Sequence, residues 1–172
     1  MSAWRSRGDS VEVITFWAVG NYRSGLLRVE PHSFQIQLGV WLDYARPSIV
    51  LGPDADNIPN PGHPHEAACP IRRTLDSRRP AAPDPSRPRF SGVEPIWSLS
   101  RDPAEVEGAI ALALDALQEE AQPWFERFAD PREVLRTLRD DPQDMSGTWG
   151  FGNPDSPSRI ELVEATEAYL AT

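Results

Sequence analysis

The chain contains no lysine. All seventeen cationic side chains among its 172 residues are arginine, set against twenty-six acids for a formal net charge of −9. Arginine used to the exclusion of lysine is what codon bias in a GC-rich genome produces, so it carries no functional message by itself. The acidity does carry one: a surface of this sign repels a phosphate backbone, so nucleic-acid binding through a basic face has little support. There is one cysteine, Cys69, so no internal disulfide can form, and a reducing, cytoplasmic setting is expected. No apolar run approaches the ~18 residues that span a bilayer. The opening MSAWRSRGDS carries arginines with no apolar stretch behind them, so neither membrane insertion nor export is expected.

What is present suits one globular domain over residues 1–172. The length is enough to bury a core without a metal or a disulfide, and a hydrophobic fraction of 40% with six tryptophans argues against disorder. Charge is unevenly placed: residues 101–172 hold six arginines against sixteen acids, whereas 71–100 hold six arginines against three.

Strand signals come first. VEVITFWAV (11–19) is rich in β-branched and aromatic residues. In SFQIQLGVWL (33–42), Phe34, Ile36, Leu38, Val40 and Leu42 alternate with Ser33, Gln35, Gln37, Gly39 and Trp41. Period two places one set against a core and leaves the other for water or a partner. Turn-forming Gly20, Asn21 and Gly25 in the connection imply an antiparallel hairpin. Residues 46–95 hold eleven of the eighteen prolines. Proline lacks an amide donor and disfavours helix at the preceding residue, so 46–90 reads as a long Pro-rich loop insertion, followed by a last strand ending on Ile96, Trp97 and Leu99.

Helices follow. Asp102, Asp130 and Ser156 each stand before a proline, and Glu105 and Glu133 fall three residues after the aspartates. That is the signature of a side-chain cap, a first-turn proline and a capping box. The first helix shows an apolar stripe of Val106, Ile110, Ala113, Leu114, Leu117 and Ala121. The expected fold is α+β, an antiparallel sheet with a helical layer on one face.

Several blocks, in order, are SFQIQLGVWL, CPIRRTL (69–75), PIWSL (95–99), PWFERFADPREVLRTL (123–138) and GNPDSPSRIELVEA (152–165). Together they resemble the bacterial domain of unknown function 4304 over roughly residues 11–170. The resemblance implies a fold and no activity, since none is assigned to that family. In it Cys69, Arg72 or Arg73, and Trp97 fall on recurring positions, while His63 and His65 do not. The family usually has a helix and a strand before the VEVITF block, and here ten residues precede it, which leaves one sheet edge uncertain.

Chemistry-bearing residues concentrate in NPGHPHEAACPIRR (60–73). His63, His65 and Cys69 make a reasonable partial zinc set, but a fourth ligand must come from Glu66 or His32 and the support is a proline-rich loop, so no metal is expected. A Cys/His nucleophile pair lacks any sign of an orienting acid or an oxyanion hole. Arg72 and Arg73 are candidates for contact with an anion. The glycine-rich SGTWGFGNP (146–154) lacks the lysine of a phosphate loop and reads as a turn. Trp124, Phe125 and Phe128 read as core, and the helical acids Glu105, Glu107, Asp115, Glu119 and Glu120 as a solvated face.

The outward row of Gln35, Gln37 and Trp41, with Trp17 on a neighbouring strand, is either a protein-binding surface, because tryptophan supplies buried area and glutamine hydrogen bonds, or a face covered by N-terminal elements or a second copy of the chain. No catalytic constellation and no cofactor is legible. The expected function is a protein-binding module. A structural homo-oligomer, and an enzyme or metal-binding protein acting through residues 63–73, stay open beside it. Partners are thus a second protein or a second copy, with neither nucleic acid nor membrane expected.

Overall fold

The structure is a computed structural model and describes residues 1–18, 33–45, 63–65, 68–75, 97–98, 103–140 and 157–172. The fold is α+β. The antiparallel sheet contains β1 (Ser2–Arg7), β2 (Ser10–Ala18), β3 (Ser33–Leu42) and β4 (Ile71–Leu75) in that order, and a short β5 (Trp97–Ser98) also pairs with β3. The helices are α1 (Pro103–Ala116), α2 (Gln122–Phe128), α3 (Pro131–Asp140) and α4 (Pro157–Leu170), with a π-helical turn, Leu117–Ala121, between α1 and α2.

Alternation in β3 yields a strand with the bounds expected from it, Ser33–Leu42. Strand β1 was not expected. It turns directly into β2 through Gly8 and Asp9, with Arg7 opposite Ser10 and Ser2 opposite Thr15. Gly8 sits at φ +57°, the left-handed conformation that a two-residue hairpin requires and that only glycine adopts without cost. The ten residues ahead of VEVITF therefore supply an edge strand. Its charged Arg5 and Arg7 are the kind of side chain that discourages an edge from pairing with another chain.

All three proline-marked helix starts are observed, at Pro103, Pro131 and Pro157. At the second, Asp130 Oδ1 accepts from the backbone N–H of Arg132 at 2.9 Å. Glu133 turns to Arg136 and Arg127 instead of closing a capping box, and these arginines hold its carboxyl below the ordinary carboxylate range. The caps at Asp102 and Ser156, the 19–32 connection and the glycine-rich 146–154 stretch lie outside the described residues. Pro123 explains the π turn. An in-line proline has no N–H to give and its ring crowds the carbonyl four residues back, and the widened turn accommodates both, with Gln122 N–H donating to Leu117 O.

Contacts divide the chain into two compact units, 1–15 with 37–73 and 123–172, and 16–36 with 74–122. In the first, α3 packs on α4. Their buried residues recur at three-to-four spacing: Val134, Thr137 and Leu138 on one, Arg159, Leu162 and Thr166 on the other. Arg159 is buried and donates from Nε to Leu138 O at 2.5 Å, and Arg139 pairs with Glu167. Trp124, Phe125 and Phe128 are buried together with edge-on ring contacts at 5.1 Å, as expected of core. In the second unit Phe34 stacks on Trp97, whose indole donates to Leu75 O at 3.3 Å.

The stripe on α1 requires correction. Ala113 and Ala121 are buried as expected, but Ile110 is 49% and Leu114 54% exposed. The buried seam runs through Ala109, Ala113 and Ala116. Alanines at i, i+4 and i+7 form as regular a row as the larger residues beside them, and their small size is what a close helix approach needs.

Candidate functional site

The outward row on β3 does not exist as an open surface. Gln35 and Gln37 are half-buried and Trp17 is 44% exposed, but Trp41 is only 4% exposed. It belongs to a buried cluster with Val11, Val13, Ala68 and Cys69. The cover comes from the Pro-rich stretch that sequence reasoning read as a loop. Trp4, opposite Val13 in the β1–β2 register, meets His63 edge-on at 4.9 Å and donates its indole N–H to Pro64 O at 2.7 Å. His65 O accepts from Ala68 N–H at 2.9 Å and from the Cys69 thiol at 3.6 Å. Trp41 donates to Asp43 Oδ1 at 2.9 Å, so its polar edge is satisfied where it lies. Residues 63–65, 68 and 69 thus tie a second, smaller core onto this part of the sheet.

That placement decides what the HPHEAAC stretch does. Cys69 is buried and its thiol points at a carbonyl, while His63 and His65 are exposed. Among the described residues no three His, Cys, Asp or Glu side chains converge on one point. Arg72 and Arg73 lie side by side on β4, both half-buried and both engaged. Neighbours on a strand point to opposite faces, so the pair cannot grip one anion together.

Among the described residues two concavities stand out. In the first unit a cleft of about 230 Å³ is lined by Arg7, Asp9, Leu42, Tyr44, Phe128 and Tyr169 among others. Tyr44 and Tyr169 stack at 4.2 Å with 12° between the rings, and the Tyr169 hydroxyl donates to Asp9 Oδ2 at 2.5 Å. Burial pushes the Tyr44 phenol up to about 12. The hydrogen bond to Asp9 moves Tyr169 in the same direction. Both phenols therefore hold their protons near neutrality, and neither can act as a base there. Beside them Glu12, buried on β2, receives Arg5 Nε at 2.5 Å and Arg7 Nη1 at 3.4 Å. The carboxylate fixes the β1–β2 ribbon through a charge pair across strands.

The second unit carries a groove of about 250 Å³ between strand and helix, lined by Phe16, Phe34, Ile110, Ala113, Leu114 and Leu117. Every lining side chain is hydrocarbon. Phe16 and Phe34 have ring centroids 6.2 Å apart. Trp17 is the next residue on β2 and points to the other face, so it is not part of the groove. Sequence reasoning named Ile110, Leu114 and Leu117 but as core. The available signal was the alanine seam, which competes with the leucines for the same burial.

No protein-family model matches the chain, and neither a curated protein nor a solved structure matches it. Among the described residues no helix is long and apolar enough to cross a membrane.

Proposed function

We propose that the protein is a non-enzymatic protein-binding module whose contact surface is the apolar groove of the second unit. The observation that carries this reading is the exposure of Ile110 and Leu114 beside Phe16 and Phe34. A contiguous apolar depression on an otherwise acidic chain is a site for burial against something else. Its chemistry favours a macromolecular partner. Small-molecule sites combine apolar walls with a few polar groups that fix the ligand's orientation, and this lining has none. Interfaces between proteins place an apolar centre inside a polar rim, and Glu107, three residues before Ile110, supplies such a group. The ordered blocks that resemble the domain of unknown function 4304 fit the same reading, since none of them is a catalytic motif.

Leu114→Asp tests it. The substitution puts a charge at the centre of the groove while leaving the alanine seam of α1 untouched, so the protein is expected to fold as before by circular dichroism. A partner that co-purifies with the wild-type chain from its own cells, and re-forms a complex from two purified proteins, is expected to lose at least about tenfold in affinity, as for a central interface anchor. Equal affinity for wild type and variant would place the contact elsewhere.

A further inference from the structure

We propose that the segment received by this groove is a cationic amphipathic helix of a second protein; the inference rests on the groove being the binding surface and adds the chemistry of its occupant. Two features of α1 and the π turn point there. The first is geometry. The apolar row that lines the groove runs along the helix from Ile110 to Leu117, a rise of about 10 Å at 1.5 Å per residue. An incoming helix presents side chains at i, i+3, i+4 and i+7 over the same length, so two turns of one apolar face match two turns of the other. The hydrocarbon walls Phe16 and Phe34 close the groove on the strand side.

The second feature is charge. Residues 103–122 contain five acids and no arginine. Glu107 is exposed and stands three residues before Ile110, the spacing of side-chain neighbours on a helix. Glu120 stands three residues after Leu117, and exposed Asp115 adds to the negative charge of the same helix. The helix that carries the apolar strip is therefore acidic, with Glu107 beside the strip's first residue. A partner helix flanked by lysine or arginine gains Coulomb attraction at this rim and loses none at the centre. A second copy of this chain, with a net charge of −9, brings like charges together on the same contact.

The experiment uses the full chain and two synthetic probes: an amphipathic peptide with leucines at i, i+3, i+4 and i+7 and lysine or arginine on its flanks, and a twin with glutamate at the flanking positions. Binding is read by fluorescence anisotropy at low and moderate salt, with wild type, Leu114→Asp and Glu107→Lys. The cationic peptide is expected to bind wild type at least about tenfold more tightly than its twin, weakening with salt as rim charges do. Glu107→Lys is expected to erode that preference, and Leu114→Asp to abolish binding of both. Equal, salt-independent binding of the two peptides, still lost in Leu114→Asp, would overturn the cationic partner while keeping the groove. Binding of neither peptide, or binding indifferent to Leu114→Asp, would overturn the groove with it.

Discussion

Trp41 and Leu114 exchange the roles that their sequence contexts suggest. Period two in β3 correctly separates Phe34, Ile36, Leu38, Val40 and Leu42 from the other set, yet it says nothing of which face finds a cover. The cover for Trp41 comes from Ala68 and Cys69, more than twenty residues further along the chain, and no local pattern announces so distant a contact. On α1 the difficulty is different, because leucine outweighs alanine in any hydropathy reading while the packed seam is alanine. The energetic consequence is a direct reversal. Trp41→Ala is expected to cost about 3 to 5 kcal/mol of folding stability, the usual loss for a large buried aromatic. Leu114→Ala, at 54% exposure, is expected to change stability by less than about 0.5 kcal/mol. Urea unfolding of the two variants checks both, and a Leu114→Ala loss as large as that of Trp41→Ala would return Leu114 to the core.

Among the elements, helix starts were the most legible, because each is written in two adjacent residues. Asp-Pro twice and Ser-Pro once mark Pro103, Pro131 and Pro157, and tertiary context need only leave them alone. Strands β1 and β4 were missed for the opposite reason. Exposed, arginine-bearing edge residues and a proline-flanked IRRTL carry little alternation, so pairing with a neighbour, not local preference, makes them strands. The one local clue to β1 is Gly8-Asp9. A side chain added at Gly8 meets nothing within 4 Å, so any cost of Gly8→Ala comes from the backbone at φ +57° alone. About 1 to 2 kcal/mol of destabilisation is expected, the penalty of the left-handed conformation. Gly108, within α1 and equally free of neighbours, gives the contrast: Gly108→Ala is expected to stabilise by about 0.5 to 1 kcal/mol through helix preference. Thermal melts of the pair would show opposite signs, and a neutral Gly8→Ala would mean that the hairpin turn tolerates another geometry.

At the scale of the whole molecule, fold class was open to sequence reasoning and the candidate site was not. Fold class follows from counting strand and helix signals along the chain. The groove instead needs Phe16, Phe34 and Leu114 brought together from a strand, a second strand and a helix, and each of them reads as ordinary core in its own segment. Of the eye-catching cluster at 63–73, His63 and Pro64 meet Trp4, and Ala68 and Cys69 pack against the sheet. Charge is a second global property legible in advance, and it bears on self-association. Two copies meeting through α1 would bring this acidic helix against its own copy, within molecules each carrying −9. Exposed charges of one sign repel over about 10 Å at 0.1 M salt and over about 30 Å at 0.01 M. The protein is therefore expected to sediment as a monomer at low ionic strength over a wide concentration range, with any association through the groove appearing only as salt is raised. A dimer that persists at low salt and is lost in Leu114→Asp would show that the groove serves a second copy of the chain, because apolar burial would then have outweighed the repulsion that argues for a cationic partner.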